Sequence, residues 1–234
     1  MQRTTNDAAL ATDVLHHYLD RWVGWKSLTA NVKINVSSPD TSVLVKGHIT
    51  YMLGERFELG FGKPYDRFLG NFYVTPQQLL YWDVGSIPHV FTPGDSVHLP
   101  DLLPIPVPDW DPRDLLPFPI SGRTSGFQPD SMWNEGQLLV VSGVSDGVAH
   151  RFEISRSDGE IKSEWVTRPN SDPMLKKYSK GRSIHGWPIS TRVTCTDESG
   201  EFAVAWTISG IELNAEPYQL PADSVSTRTM ESQP

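Results

Sequence analysis

The chain has 234 residues and a formal net charge of −8, with 38% hydrophobic and 21% charged residues. This length suits one large β domain or two small ones, and the apolar fraction is sufficient for a real core. The acidic balance argues against a nucleic-acid partner, because phosphate binding needs a basic face. A lone cysteine, Cys195, excludes an internal disulfide and a multi-cysteine metal site. The sequence contains no apolar run near the ~20 residues of a membrane-spanning helix and no recognisable signal peptide.

The first element is a predicted helix over residues 7–25. Apolar side chains recur there every four residues, at Leu10, Val14, Tyr18 and Trp22. Apolar alternation with period two then predicts successive strands over residues 30–36, 43–51, 56–61, 72–74 and 79–82. The first half of the chain is therefore one helix followed by antiparallel strands.

Residues 84–130 differ from the rest, because they hold ten of the nineteen prolines and show little periodicity. Proline removes a backbone donor, so residues 102–108, with three prolines, cannot form a central strand. Asp111 followed by Pro112 predicts a short helical turn with an aspartate cap. An insertion of this length and apolar character is typical of a lid laid over a sheet. Its apolar contacts are predicted to come from Leu102, Leu103, Ile105, Leu115 and Leu116.

The second half returns to strands, predicted over residues 138–142, 150–155, 160–167, 190–196 and 201–213, with residues 170–181 as a polar loop. Asp146-Gly147 and Asp158-Gly159 mark hairpin turns between them. The predicted fold is therefore mainly β (α+β): an open sheet of about 10–11 antiparallel strands with an N-terminal helix and a proline-rich, short-helix lid. We expect a single domain over residues 1–223 and a flexible polar tail over 224–234.

Candidate catalytic and metal-binding residues carry weak signals. Gly143-Val144-Ser145-Asp146-Gly147 matches the nucleophile pattern G-x-S-x-G, but the residues after it alternate as a strand, where a nucleophile elbow needs a helix. The seven histidines form no metal-binding pair on a helix, and surface or packing roles are expected for them. Capping accounts for Asp111 without a metal. No metal, cofactor or catalytic residue is therefore predicted.

Large apolar side chains on one face of the predicted sheet are the strongest functional signal. They are either plain core or the wall of a cleft for an apolar ligand, and one helix with a proline-rich lid is thin cover for so many strands. The candidate cleft residues are Val45, Ile49, Phe57, Leu59, Phe61, Phe72, Val74, Trp82, Phe152, Ile154, Trp165, Trp206 and Ile208.

The order of these motifs resembles the lipoprotein-localisation (LolA/LolB-like) family over residues 8–223, closer to the outer-membrane receptor type. Residues 47–57 are similar to the glycine-to-R-F hairpin of the family, and residues 56–83 to its R-[YF]-x-L stretch, with Lys63-Pro64-Tyr65-Asp66 in place of N-P-L-G. Residues 103–106 and 114–116 resemble its proline-rich segment and short helix. Leu53-Gly54 stands where the carrier type has an arginine, and the N-terminal cysteine of a lipid anchor is not present.

The resemblance implies a half-barrel whose hydrophobic cavity takes lipid acyl chains or lipoproteins. It also implies a protruding loop, here Lys63, Pro64, Tyr65 and Phe68, that meets the membrane. The expected function is lipid or lipoprotein binding in the cell envelope, without enzymatic activity, with a carrier protein and the membrane surface as partners. The expected location is periplasmic or outer-membrane-anchored. A structural or interaction protein with a filled core is the alternative, and a hydrolase acting through Ser145 comes third.

Overall fold

A computed structural model describes residues 26–52, 56–63, 67–75, 78–83, 89–92, 108–118, 127–145, 147–184 and 187–213. The predicted helix over 7–25, most of the predicted lid and the predicted tail lie outside these residues. Within them, no helix is long and apolar enough to cross a membrane.

The described residues form one antiparallel sheet of thirteen strands. Its strands are β1 (Ser27–Ser37), β2 (Ser42–Met52), β3 (Arg56–Lys63), β4 (Arg67–Val74), β5 (Leu79–Asp83), β6 (His89–Phe91), β7 (Gln128–Glu135), β8 (Leu138–Ser145), β9 (Val148–Ser155), β10 (Ile161–Thr167), β11 (Met174–Ile184), β12 (Trp187–Thr196) and β13 (Ala203–Leu213).

The sheet is unclosed, because its order runs β6-β5-β4-β3-β2-β1-β13-β12-β11-β10-β9-β8-β7 and ends on two edge strands. Every neighbour follows in sequence except β1, which pairs with β13 and so joins the two halves of the chain. This arrangement matches the predicted open half-barrel, but with thirteen strands in place of the 10–11 expected.

The inner face of the sheet is defined here as the side that carries the buried alternate residues of β1, from Leu28 through Val32 to Val36. Cross-strand pairing continues this face on both sides. Leu28 lies opposite Tyr51, Tyr51 opposite Phe57, and Phe57 opposite Val74. In the other direction Ile34 lies opposite Trp206, which lies opposite Val193. A single apolar core therefore extends along one face of the sheet.

Three strands of the described residues were missed by the sequence prediction, and two of them lie in the second half of the chain. Residues 170–181 were expected to be a loop, yet most of them belong to β11, where Met174, Lys176 and Tyr178 alternate inward. A lysine in the middle of that inward set disguises the alternation. β7 was missed because it is an edge strand, where polar residues and Pro129 are tolerated.

The third is the short β6, which lies inside the proline-rich stretch, where the sequence pattern had indicated no strand. It pairs with β5 over three residues, from Phe91 to His89. An edge strand needs backbone partners on one side only, so a short pairing of this kind is compatible with flanking prolines.

The structure separates two tryptophans that the sequence placed on the same face. Trp206 is 4% exposed on the inner face. Trp165 lies on the opposite face, because a register shift between Ile161 and Ser163 inverts the alternation of β10. Ile161 still points inward with its partner Ile154, but Trp165 pairs with Arg151. The prediction for Trp165 was therefore wrong, and the β-bulge is the physical reason.

We expect Trp206→Ala to lower the free energy of unfolding by ~3–5 kcal/mol, because it opens a cavity in the core. Trp165→Ala is the matched control and should cost about 1–2 kcal/mol, because that side chain is only partly buried. Urea denaturation followed by circular dichroism measures both. Equal losses would contradict the assignment of the two rings to opposite faces.

Candidate functional site

The inner face carries a row of aromatic side chains near one edge of the sheet. We call Phe61, Phe72, Tyr81 and Phe91 the aromatic wall; all four are only partly buried and pack against the core. Phe72 pairs across the strands with Tyr81. The rings of Phe61 and Tyr81 lie 6.4 Å apart with an interplanar angle of 13°. The wall therefore offers a contiguous apolar surface that the described protein does not fully cover.

Glycines lie directly opposite Phe61 on both adjacent strands. It lies opposite Gly47 on β2 and Gly70 on β4. A Cβ atom at Gly47 would come within 2.5 Å of the Gly60 carbonyl oxygen, so a larger residue does not fit there. The ring of Phe61 consequently stands beside two positions that contribute only backbone.

Residues 108–118 pack on the inner face beside this wall. Asp111 caps a single turn of 3₁₀ helix, Pro112–Leu115, by accepting a hydrogen bond from the Arg113 amide at 2.8 Å. The predicted aspartate cap is therefore confirmed. Phe118 stacks on Tyr51 with 4.8 Å between the ring centroids. Trp110 contacts Phe202 edge-on, with 5.2 Å between the ring centroids. The aromatic rings of this segment thus complete the core on that side.

Charged groups hold the same segment against β11 and the connection between β10 and β11. Arg168 donates to both carboxylate oxygens of Asp114, one of them at 2.9 Å. The Asp172 carboxylate accepts a hydrogen bond from the Asp109 amide at 3.3 Å. The Lys176 ammonium donates to the Leu116 carbonyl oxygen at 3.4 Å. The segment is therefore held by apolar contacts on one side and by ionic contacts on the other.

A buried polar cluster lies within the inner face on β9, β10 and β11. Glu164 is 0% exposed and is surrounded by three polar partners. His150 Nδ1 lies 3.1 Å from Glu164 Oε1, and the Tyr178 hydroxyl donates to Glu164 Oε2 at 2.7 Å. The Lys176 ammonium is 3.8 Å from Glu164 Oε2. A carboxylate with three partners can remain charged inside an apolar face.

The pKa of the Glu164 carboxyl reflects a balance of opposing effects. Burial by itself would raise this pKa, but the Lys176 ammonium, together with the contacts from His150 and Tyr178, outweighs it and holds the pKa below its usual value. Cys195 lies opposite Lys176 on β12, and burial raises the pKa of its thiol to about 12. The thiol is therefore protonated at neutral pH and unsuited to act as a nucleophile.

Most of the predicted cleft residues share the inner face. Trp165 does not, as described above. Trp82 pairs with Asn71, whereas its neighbour Tyr81 pairs with Phe72, so the register places Trp82 and Tyr81 on opposite faces of β5. The side chains of Lys63, Phe68 and Trp82, together with Pro64, Tyr65, Leu102, Leu103 and Ile105, lie outside the description. The candidates on the inner face are Val45, Ile49, Phe57, Leu59, Phe61, Phe72, Val74, Phe152, Ile154, Trp206 and Ile208. Leu115 and Leu116 lie in the 108–118 segment.

The polar cluster was missed by sequence reasoning. His150 was expected to have a surface or packing role, and it is 2% exposed with a charged partner. The available signal was weak. Met174, Lys176 and Tyr178 are alternate residues of one strand, so a single charged residue interrupts an otherwise apolar face.

The G-x-S-x-G motif is a hairpin, as the sequence predicted. Ser145 ends β8 and pairs with Val148 at the start of β9. The motif is thus followed by a strand, whereas a nucleophile elbow requires a helix at that place.

Comparison with solved structures identifies the fold. A LolA superfamily protein from Nitrosomonas europaea superposes with a TM-score of 0.66 at 15% identity, covering 93% of this chain and 97% of that one. An outer membrane lipoprotein-sorting protein domain from Vibrio parahaemolyticus gives 0.67 at 9% identity, covering 91% and 94%. The fold is LolA-like. A DUF1329 family protein from Desulfovibrio piger shares it, with a TM-score of 0.63 at 6% identity over 89% and 93% of the two chains.

The recognised LolA-like fold is the one that the ordered sequence motifs predicted. No family model matches the sequence, and no curated protein matches it either. At these identities the likeness concerns the fold, and the roles of individual side chains have to be argued from the site itself.

We expect Glu164→Gln to destabilise the protein at neutral pH by ~3–5 kcal/mol, because it leaves the Lys176 ammonium buried without a countercharge. The wild-type carboxyl has a lowered folded-state pKa, so its stabilisation is present above the unfolded pKa of about 4.3 and is lost as the pH falls through the folded value. The variant should lack this part of the acid dependence.

Glu135→Gln serves as the control for this experiment. Glu135 is exposed and pairs with Arg151 at 3.5 Å, so its loss should change stability by less than about 0.5 kcal/mol. Urea titrations at pH 7 and at intervals down to pH 3 compare the three proteins. Identical stability of Glu164→Gln and wild type at pH 7 would show that the buried pair contributes nothing.

Proposed function

We propose that this protein binds lipid or lipoprotein acyl chains against the aromatic wall of its inner face. The observation that supports the proposal most is the row of partly exposed rings, Phe61, Phe72, Tyr81 and Phe91, at the edge of an otherwise buried apolar face. Partly exposed apolar surface of this kind, continuous with a core, is typical of a binding site for an apolar ligand.

The energetics of such binding are favourable. Each methylene transferred from water to an apolar surface contributes ~0.8 kcal/mol, so about ten buried methylenes contribute ~8 kcal/mol before the entropic cost of ordering the chain. Aromatic rings add flat contact area at low conformational cost. The aromatic wall therefore suits a flexible hydrocarbon chain better than it suits a rigid polar ligand.

The proposal extends to a place in the cell envelope. Two proteins with this fold are named for the LolA superfamily and for outer membrane lipoprotein sorting. We infer a role in lipoprotein sorting or in transfer to the outer membrane, with a periplasmic or membrane-anchored location and a carrier protein as partner. In this role the protein acts as a carrier or receptor and performs no catalysis.

The alternative function is that of a structural or interaction protein on the same scaffold. The stacking of Phe118 on Tyr51 at 4.8 Å supports it, because this contact fills part of the inner face with the protein's own side chains. The two functions differ in one observable: only the first gives saturable binding of an acyl probe.

We expect Phe72→Ala to weaken binding of a fluorescent fatty-acyl probe by ten- to a hundredfold, because it removes a ring worth ~1.5–3 kcal/mol of apolar contact. Tyr73→Ala is the matched control, since Tyr73 is the next residue of β4 and faces the other way. Fluorescence titration measures both affinities. Equal weakening by the two variants would remove the aromatic wall from the binding site.

A further prediction concerns the connection between β3 and β4. Lys63, the last residue of β3, pairs with Arg67, the first residue of β4. The connecting residues Pro64, Tyr65 and Asp66 carry one large ring where turns usually hold small polar residues. We propose that Tyr65 contacts the membrane during transfer, because tyrosine suits the interface.

Tyr65→Glu should leave folding and acyl-probe binding nearly unchanged and should reduce the rate of lipid transfer to liposomes. Tyr65→Phe is the control, because it keeps the ring and should retain transfer. A fluorescence-dequenching assay between loaded protein and vesicles follows the rate. Transfer at the wild-type rate by Tyr65→Glu would exclude this loop from the mechanism.

A further inference from the structure

His150 has one satisfied ring nitrogen and one unsatisfied one. Nδ1 lies 3.1 Å from the Glu164 carboxylate, but Nε2 is buried and has no hydrogen-bond partner in the described part of the chain. Buried polar atoms in folded proteins nearly always have a partner, so an unsatisfied one calls for an explanation.

The chemistry of Nε2 follows from the contact at Nδ1. The Glu164 carboxylate has no proton to donate, so Nδ1 of His150 is the donor across the 3.1 Å contact. An imidazole that carries its single proton on Nδ1 has its lone pair on Nε2. It requires a donor, such as a hydroxyl or an amide N–H.

A second unsatisfied group lies on the same face of the same hairpin. The Ser145 hydroxyl is 3% exposed and also lacks a partner among the described residues. Ser145 pairs with Val148 and Gly143 pairs with His150, so Ser145 and His150 are diagonal neighbours across β8 and β9. The residue positions of such diagonal neighbours lie about 7–8 Å apart, so one small ligand group can reach both side chains.

The surroundings of this pair are aromatic. The His150 ring stacks on Phe152 at 5.9 Å and meets the Phe127 ring at 6.4 Å. Phe127 occupies the space above Gly143, where a Cβ atom would come within 2.6 Å of that ring. Phe127 is only partly buried, whereas His150 and Phe152 are 2% and 4% exposed, so its ring is the most exposed of the three.

We propose that His150 and Ser145 form a hydrogen-bonding site for the polar group of a neutral lipid that carries a hydroxyl or amide donor next to its acyl chain. The inference rests on the proposed function, because the acyl chain is taken to lie along the inner face. Glu164 acts as a positioning residue that orients the imidazole. The site thereby adds selectivity for the head of the lipid to the affinity that the apolar inner face provides for its chain.

A neutral donor fits this site better than an anion. The charged groups that face His150 are Glu164 and Lys176, and their charges cancel. The lone pair on Nε2 repels a carboxylate or phosphate, and the Glu164–Lys176 pair offers no net positive charge to attract one. A free fatty acid is therefore expected to bind less tightly than a hydroxylated lipid with the same chain.

The experiment compares two lipids of equal chain length, a monoacylglycerol and the corresponding fatty-acid methyl ester, by competition against an acyl probe. Wild type should prefer the monoacylglycerol about tenfold, the value expected for one hydrogen bond to a buried group that otherwise lacks a partner. His150→Phe keeps the stacking but lacks Nε2, and its preference should fall close to one. Phe72→Ala should weaken both lipids and keep the ratio.

Ser145→Ala provides a second variant in case His150→Phe does not fold, because its hydroxyl has no partner to lose within the described residues. Its preference should fall several-fold. Equal affinity of wild type for the two lipids, an unchanged ratio in the folded variants, or tighter binding of the free fatty acid would each overturn this site while acyl binding stands. Binding of neither lipid would overturn the proposed function itself, and this site with it.

Discussion

The structure depends on the covering of one apolar face. An unclosed antiparallel sheet exposes the inner side of thirteen strands, and that side carries a continuous core from Val74 through Phe57 and Ile34 to Phe152. Without cover this surface would face water at a cost of ~25 cal/mol per Å². The 108–118 segment meets part of this need, because Phe118 and Trp110 pack directly on the core. At the aromatic wall the cover is incomplete, and its four rings remain partly exposed.

Glu164 is the one fully buried carboxylate on this apolar face among the described residues. Lys176 links it to the 108–118 segment, since its ammonium lies 3.8 Å from Glu164 and donates to the Leu116 carbonyl oxygen. The same carboxylate orients His150. One buried ion pair thus ties the position of the covering residues to the orientation of the proposed head-group site. A buried pair of this kind specifies an arrangement more than it adds net stability.

Sequence reasoning succeeded where local pattern and tertiary environment agree. Phe57, Leu59 and Phe61 alternate in one strand and share one face, and Asp111 caps a turn before Pro112. It failed where a non-local partner changes the rule. Lys176 can point inward because Glu164, its cross-strand partner on β10, supplies the opposite charge. Trp165 points outward only because the register shifts after Ile161.

The sequence by itself determined the mainly antiparallel architecture, the apolar inner face and the resemblance to a LolA-like fold. Period-two alternation and turn residues encode these features locally, and each strand carries its own copy of the signal. Only the tertiary structure decided which strands are neighbours, where the β-bulge reverses a face and which polar groups meet inside. These depend on hydrogen-bond register between distant segments, as between Val36 and Val204, and a shift of one residue exchanges the two faces of a strand.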